Sequence, residues 1–262
     1  MLTLDVDPIA FVLGPVAVPW YAITLVAAIA VVLVIARHET RRLPVRSTSF
    51  YLAALWMIVA GLLGARLAHV VDWWEYYSAQ PARILRLEGW AIHGAILGAL
   101  FALWLYARVS RPSFGSWCDI VAAGAPLGQA VGRVGCLIQG CCYGLPTSLP
   151  WAIVYAHPDS YAPQGEPLHP AQLYFLLWNL VVFGALQRWK GRLTQAGNLF
   201  LAYLALYAAG DFALRFLRRG DPVVLGLQQP QIIGLVVLIA AVVILAGRTL
   251  RGNTERVWRP QG

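Results

Sequence analysis

The sequence has little charge and few acidic residues. Asp, Glu, Lys and Arg make up only 12% of its 262 residues, and Asp and Glu together number 12. A soluble domain carries about 25% charged residues, so this composition excludes an ordinary soluble protein. No low-complexity segment and no internal repeat is found, which argues against a repeat array. No Lys or Arg precedes the first apolar run, so we expect an uncleaved signal anchor there rather than a cleaved signal peptide.

The sequence is instead rich in hydrophobic residues. They make up 59% of the chain, and the mean hydropathy is +0.64. They are gathered in runs of roughly 20 residues, the length that crosses a bilayer as a helix. The sequence therefore predicts an all-α membrane protein, a single polytopic domain over residues 1–262 with about seven transmembrane helices. The expected spans are roughly 18–36, 48–71, 90–108, 116–135, 170–187, 197–217 and 230–247.

The loops between the spans differ in charge. Most basic residues follow spans one, three and five or lie in the C-terminal tail, namely Arg37, Arg41, Arg42, Arg46, Arg108, Arg111, Arg188, Lys190, Arg192, Arg248, Arg251, Arg256 and Arg259. Fewer lie on the opposite side, namely Arg83, Arg86, Arg218 and Arg219. Because basic loops stay in the cytoplasm, we expect the N-terminus outside and the C-terminus cytoplasmic. We therefore interpret the net charge of +8 as arising from loop arginines that orient the protein in the membrane, and not as a sign of nucleic-acid binding.

Two polar segments are expected at the outer face. Residues 136–168 are rich in Pro and Gly and have too few apolar residues to cross the membrane, which predicts an external loop or small cap. Residues 72–89 contain paired Trp and Tyr residues, which are typical of a segment lying along the membrane interface.

Ionisable side chains within the spans concentrate in their outer halves. Such groups are costly in lipid and usually mark a functional site. Helical spacing places them on shared faces in three sets, namely Arg66 with His69, Gln129 with Arg133, and Asp211 with Arg215 and Arg218. Several arginines beside one acid suit an anionic ligand, since a guanidinium donates two parallel hydrogen bonds to a phosphate. Two simpler interpretations stay open, namely that Arg66 snorkels to the interface and that Asp211 and Arg215 form an intrahelical ion pair.

His93 is a candidate for proton transfer. His93 stands in Trp90-Ala91-Ile92-His93-Gly94, at the predicted outer start of span three. Histidine is the usual proton carrier near neutral pH. Taken alone, His93 is either a base or a hydrogen-bonding strut.

Three cysteines, Cys136, Cys141 and Cys142, fall within seven residues on the predicted outer side. Three interpretations are open: the cysteines pack as small residues, two of them form a disulfide, or they bind a metal ion. Their spacing matches no standard zinc pattern, and His157 and His169 are weak candidates for further ligands. We expect packing or one disulfide rather than metal binding or redox catalysis, and we expect no cofactor.

Taken in order along nearly the whole chain, several motifs resemble the prolipoprotein diacylglyceryl transferase family of bacterial inner-membrane enzymes. The motifs are Trp20-Tyr21, Gly61-Leu62-Leu63-Gly64-Ala65-Arg66, His93-Gly94, Gly132-Arg133-Val134-Gly135, Gln139-Gly140, Tyr143-Gly144, His169-Pro170-Ala171-Gln172-Leu173-Tyr174, and Tyr207 with Arg218. A bundle of seven spans with the N-terminus outside also agrees with that family.

The resemblance implies that the diacylglyceryl group of phosphatidylglycerol moves onto the thiol of a lipobox cysteine in a prolipoprotein, with release of glycerol 1-phosphate. It implies that Arg133 binds the headgroup phosphate and that Tyr21 and His93 line the reaction site, with His93 as the candidate base. Further substrate contacts are expected from Arg66, Gln139, Gly144, His169 and Arg215. The expected partners are phosphatidylglycerol, lipobox signal peptides and membrane lipids, at the outer leaflet of the bacterial inner membrane.

The chain departs from the family pattern at several positions. Cys136 and Cys141 stand where the family often has Asn and Glu, and Phe175 stands where Glu is common. In span six the family has Arg, then Glu four residues later, then Arg three residues later, whereas this chain has Asp211, Arg215 and Arg218. We therefore expect Arg215 to replace the cation missing at position 211, with Asp211 orienting it.

These departures leave three alternative functions. The first is a related transferase with a changed acceptor or lipid. The second is a membrane thiol oxidoreductase that uses Cys141 and Cys142. The third is a non-catalytic lipid-binding or transport protein.

Overall fold

Helices form most of the computed structural model, which describes residues 1–41, 46–85, 89–110, 112–193 and 195–251. The α-helices in this part are α1 (Trp20–Thr40), α2 (Ser47–Asp72), α3 (Trp74–Ala79), α4 (Ile92–Val109), α5 (Phe114–Ala122), α6 (Ala125–Gln139), α7 (Ala171–Trp189), α8 (Asn198–Leu214) and α9 (Gln229–Arg251). Within these described ranges, two 3-10 helices cover Pro81–Leu85 and Arg215–Leu217. Helical structure therefore lies at every position where a span is predicted.

The described helices give five or six candidate membrane spans. Five are long and apolar enough to cross a bilayer, namely α1, α2, α4, α8 with the 3-10 helix after it, and α9. Helices α5 and α6 pass the same test only as a pair, and the chain bends by 45° between them. Pro126 lies in the first turn of α6 and has no N–H to continue the hydrogen-bond ladder of α5, which explains the break. Seven crossings and the orientation of the termini stay predictions.

The structure adds short β-strands to the all-α prediction. Those in the described part are β1 (Leu2–Leu4), β2 (Ile9–Leu13), β3 (Val16–Pro19), β4 (Ile153–Tyr155), β5 (Pro167–Leu168), β6 (Pro222–Val224) and β7 (Leu227–Gln228). β4 pairs in parallel with β1 and antiparallel with β5, while β2–β3 and β6–β7 are hairpins. None exceeds five residues, which is too short for an alternating pattern to be recognised in the sequence.

The chain folds into two compact units, and the single-domain prediction stays a prediction. One unit is Thr40–Trp117, and the other joins Met1–Glu39 to Cys118–Gly262. In the first unit, α2 packs along α4, and small residues at Gly64, Gly94 and Gly98 bring the two backbones together. The segment after α2 then folds back as α3 and a 3-10 helix.

In the second unit, α6 packs on α7, α7 on α8, and α8 on α9. The buried carboxylate of Asp119 accepts hydrogen bonds from the backbone N–H groups of Gly197 and Phe200, at 2.7 and 2.8 Å. These bonds satisfy donors at the start of α8 that have no partner within the helix. Helices α6 and α8, which carry Gln129, Arg133 and Asp211, thus both pack against α7.

Some residues of the charge argument lie outside the described part of the chain. They are Arg42, Arg86, Arg111, Arg256 and Arg259.

Candidate active site

Arg133 lies in the second half of α6, half-buried, against α7. Its Cζ atom stands 4.6 Å from the centroid of the Phe175 ring, a cation–π contact. Its guanidinium makes no hydrogen bond or ion pair with any residue in the described ranges. A guanidinium has five N–H donors. Arg133 therefore offers a positive charge and a set of free donors to a ligand.

Arg218 supplies a second cation. Its Nε atom is buried and has no hydrogen-bond partner among the residues that the structure describes. Its backbone is fixed by the loop after α6, because Leu145 N–H donates to Leu217 O at 2.9 Å and Arg219 N–H donates to Tyr143 O at 3.2 Å. Arg133 and Arg218 both act electrostatically on the Cys142 thiol and on Tyr207. Arg133 and Arg218, which both have donors without a described partner, thus lie near the same two residues, Cys142 and Tyr207.

Asp211 and Arg215 form the intrahelical ion pair that the sequence predicts. Arg215 Nε donates to Asp211 Oδ2 at 2.6 Å, and the two side chains are only 13% and 7% exposed. The second carboxylate oxygen, Oδ1, is buried without a partner in the described part of the chain. The terminal nitrogens of Arg215 likewise have no described partner, so the pair holds this guanidinium in place while leaving donors available.

Tyr21, the second residue of α1, belongs to the same region. Its hydroxyl interacts electrostatically with Arg133 and with the thiols of Cys136, Cys141 and Cys142. The approach of α1 depends on Gly135, since a Cβ atom there would lie 2.0 Å from Thr24 Oγ1 and 3.0 Å from Tyr21 Cα. The structure therefore brings together two of the predicted catalytic residues, Tyr21 and Arg133.

The cysteines form a cluster of free thiols. The Sγ atoms of Cys136, Cys141 and Cys142 all lie within 4.8 Å of one another, and no disulfide joins them. Of the two expectations from the sequence, packing is therefore seen and a disulfide is not. In the loop after α6, thiol hydrogen bonds from Cys136 and Cys141, together with Arg218 and Arg133, lower the pKa of Cys142. Hydrogen bonds with Cys136 and Cys142 raise the pKa of Cys141.

Gln172 and Tyr155 support this loop, and the sequence analysis gave neither a role. Gln172 Nε2 donates to Cys141 O at 2.8 Å and to Tyr155 Oη at 3.2 Å, and the Tyr155 hydroxyl donates to Leu137 O at 3.2 Å. Burial raises the pKa of Tyr155. Gln172 lies in the His169–Tyr174 motif, so the motif was a signal that could have singled it out. Its hydrogen-bond partners are distant in sequence, so the sequence could not identify them.

Gly144 and His169 connect this loop to the start of α7. Gly144 N–H donates to His169 O at 3.1 Å, and a Cβ atom at Gly144 would lie 2.5 Å from that oxygen. His169 Nδ1 is 3.2 Å from the Tyr174 hydroxyl, which accepts from Trp151 Nε1 at 2.8 Å. Gln139 is the last residue of α6, and its carbonyl accepts from Tyr161 N–H at 3.1 Å. Substrate contact by these residues stays a prediction.

Arg66 and His93 belong to the unit Thr40–Trp117. Arg66 donates hydrogen bonds to the carbonyl oxygens of residues 83, 84 and 89 and to the Tyr77 hydroxyl, at 2.9 to 3.2 Å. These bonds tie the segment after α2 to that helix. His93 is the second residue of α4 and is exposed. The roles predicted for both residues stay predictions.

Comparisons with known proteins agree with the motifs. The family model described as prolipoprotein diacylglyceryl transferase matches residues 8–247. A phosphatidylglycerol–prolipoprotein diacylglyceryl transferase of Dehalococcoides mccartyi is 40% identical over 243 residues, which cover 92% of this chain and 94% of the relative. The proteins of the same name from Symbiobacterium thermophilum and Clostridioides difficile are 35% and 31% identical. They align over 92% and 90% of this chain and over 92% and 93% of their own lengths. The chain therefore belongs to the prolipoprotein diacylglyceryl transferase family, whose members are transferases of lipoprotein maturation.

Proposed function

We propose that the protein transfers the diacylglyceryl group of phosphatidylglycerol to the thiol of a lipobox cysteine in prolipoprotein signal peptides. A C–S bond forms at the glycerol carbon, and the C–O bond from that carbon to the phosphate breaks. Glycerol 1-phosphate leaves with the electron pair of that bond, and the thiol proton passes to a base. The names of the relatives support both substrates.

The observation that carries this proposal is the pair of arginines without anionic partners. Arg133 has no described hydrogen-bond partner, and Arg218 Nε is buried and unpaired in the described structure. A buried donor without a partner is costly, so Arg218 Nε is most stable when it donates to an anionic group, and the free donors of Arg133 can bind the same group. A phosphate diester fits, and the same contacts strengthen as charge develops on the departing phosphate.

The attacking thiol needs only modest activation. A thiol of pKa near 8.5 becomes a thiolate readily beside a base or in a positive field. His93 is proposed as the base, and Tyr21 is proposed to line the reaction site beside Arg133. The field of Arg133 and Arg218 assists the same step.

Arg215 is proposed as the third cation of the site, replacing the arginine that the family has at the position of Asp211. Its ion pair with Asp211 holds the guanidinium in one orientation. Gln139, Gly144, His169 and Arg66 are proposed to bind the substrate.

The reaction is proposed to take place at the outer leaflet of the bacterial inner membrane. Seven crossings are proposed from the apolar runs, and an outer N-terminus with a cytoplasmic C-terminus is proposed from the loop charges. The segments at about 72–89 and 136–168 are each proposed to lie at the outer face, where a secreted preprotein arrives. No nucleic-acid partner and no cofactor is proposed.

A changed acceptor or lipid is the second candidate function, because the Asp211–Arg215 pair reverses the charge order of the family pattern. It shares the arginines of the first proposal. Product analysis with phosphatidylglycerol and a lipobox peptide separates the two.

The test is a transfer assay with purified protein in phosphatidylglycerol vesicles and a lipobox peptide, read by mass spectrometry for the diacylglyceryl thioether. We expect product from the wild-type protein, and a fall of roughly 100-fold or more for Arg133→Gln, the size of effect seen when a donor to a developing oxyanion is removed. Arg219→Ala removes an exposed arginine next to Arg218 and is the matched control, which should stay active. An Arg133→Gln variant with normal turnover would overturn the proposal.

A further inference from the structure

The thiol cluster at the end of α6 has the geometry of a metal site. Cys136 lies in the last turn of the helix and is buried, whereas Cys141 and Cys142 are half-buried in the turn that follows. The chain reverses at Gly140 and again at Cys142, where φ is +60°, a value that non-glycine residues rarely adopt. This reversal brings three sulfur atoms within 4.8 Å of one another.

Metal binding would require little movement. A zinc–sulfur bond is about 2.3 Å long, so sulfurs in a tetrahedral site lie about 3.8 Å apart. Each pair of sulfurs here would need to approach by about 1 Å at most. The loop is already held by the hydrogen bond from Gln172 to Cys141 O, so the ligands do not have to be gathered from a disordered segment. Three thiolates without a harder ligand select soft cations.

We propose that Cys136, Cys141 and Cys142 bind one soft, thiophilic cation of the Cu(I) or Zn(II) class, and that the bound ion inhibits lipid transfer. Binding of one cation by the three thiolates releases to solvent the thiol protons that the cysteines still carry. The inhibitory half of this proposal rests on the proposed transferase function, and the binding half does not.

Inhibition follows from charge. Three thiolates carry −3, so the complex with a divalent ion carries −1 and the complex with a monovalent ion carries −2. Arg218 lies beside this loop, because the N–H of the neighbouring Arg219 donates to Tyr143 O at 3.2 Å. Arg133 and Arg218 both interact electrostatically with Cys142 and would stabilise such an anionic centre. The same two arginines are proposed to bind the lipid phosphate. A loaded thiol site and a bound phosphate therefore compete for one pair of cations.

Binding is tested first, without reference to activity. Reduced protein in detergent micelles is titrated with Co(II), as a spectroscopic stand-in for zinc, and with Cu(I) and Zn(II) against a chromogenic chelator. We expect one ion per chain, with thiolate-to-cobalt charge-transfer bands in the near ultraviolet. Cys142→Ser should weaken binding at least tenfold, whereas Cys118→Ser, a buried thiol outside the cluster, should not. The Cu(I) and Zn(II) titrations show which ion binds more tightly.

Transfer is then measured with and without one equivalent of the tighter-binding ion, each variant being compared with its own metal-free rate. We expect at least tenfold inhibition of wild-type and Cys118→Ser protein, reversed by chelator, and little inhibition of Cys142→Ser. Failure to retain an ion, or equal binding by Cys142→Ser, would overturn the site. A bound ion with unchanged turnover would overturn the inhibition. Metal binding by a protein that makes no thioether leaves the site standing and instead overturns the transferase assignment.

Discussion

Arg215 donates a 2.6 Å hydrogen bond through Nε to Asp211 Oδ2, one helical turn away, and both side chains are largely buried. An isolated surface pair of this spacing contributes little, but breaking a buried pair leaves an uncompensated charge. Because only Nε of the guanidinium is engaged, the pair fixes the arginine and leaves its terminal nitrogens without a described partner. Under the proposed function, Arg215 replaces the cation that the family pattern has at position 211.

The first prediction concerns the order of this pair. Arg215→Ala should lower transfer at least tenfold, because it removes a cation and strands the buried carboxylate of Asp211. The double variant Asp211→Arg, Arg215→Glu should restore activity, because it keeps the pair and returns the cation to position 211. Turnover and thermal unfolding are measured together, since Arg215→Ala also destabilises by about 3–5 kcal/mol if the charge stays buried. A fully active Arg215→Ala would remove Arg215 from the site.

The second prediction compares two glycines of α6 that lie three residues apart. Gly135→Ala places a Cβ atom 2.0 Å from Thr24 Oγ1 and 3.0 Å from Tyr21 Cα, so α1 must shift and carry Tyr21 with it. Overpacking of this kind costs about 1–3 kcal/mol. Gly132→Ala meets no atom within 4 Å and should be neutral or slightly stabilising, because alanine favours a helix. We expect transfer to fall in Gly135→Ala alone. Equal activity of the two variants would show that the position of Tyr21 does not matter to the reaction.

The sequence predicted the helices well and their local details less well. Long apolar runs are unambiguous, so helices lie at all the predicted span positions, and the spacing of Asp211 and Arg215 correctly indicated their ion pair. The three-stranded sheet was missed because β1 and β4 are far apart in sequence and each has three residues. The three cysteines were singled out together, but the approach of their sulfur atoms to within 4.8 Å was not predicted, for a different reason. The geometry of the cluster depends on a left-handed residue at Cys142, which no spacing rule anticipates.

The third prediction separates two roles for Arg66. Its side chain donates to three backbone carbonyls and to Tyr77, a set that a lysine ammonium cannot reach at once. Arg66→Lys should therefore destabilise the unit Thr40–Trp117 by about 2 kcal/mol or more, since hydrogen bonds to a charged group contribute about 1.5–3 kcal/mol each. Thermal unfolding and proteolysis of the segment after α2 measure this effect. Arg83→Lys is the control, because the Arg83 side chain contacts only Tyr76 among the described residues. Unchanged unfolding with a raised KM for phosphatidylglycerol would instead indicate substrate contact by Arg66.

The fourth prediction uses pH to examine the field of the arginines. Two thiol donors and the charges of Arg218 and Arg133 lower the pKa of Cys142, whereas its neighbour Cys141 has a raised pKa because it donates to the other thiols. A lowered pKa means that Cys142 stays a thiolate as the pH falls below the ordinary thiol value of about 8.5. Iodoacetamide should therefore label Cys142 before Cys141 at neutral pH, as read by peptide mass spectrometry.

The pH at which Cys142 labelling reaches half its maximal rate reports that pKa directly. Arg218→Ala should move this midpoint upward, because a cation that favours the thiolate is lost, and Arg219→Ala should leave it in place. An unmoved midpoint in Arg218→Ala, or faster labelling of Cys141, would mean that the positive field does not reach the thiols. The proposed competition between a bound ion and a phosphate for the same arginines would then lose its electrostatic basis, because that competition requires Arg218 and Cys142 to interact.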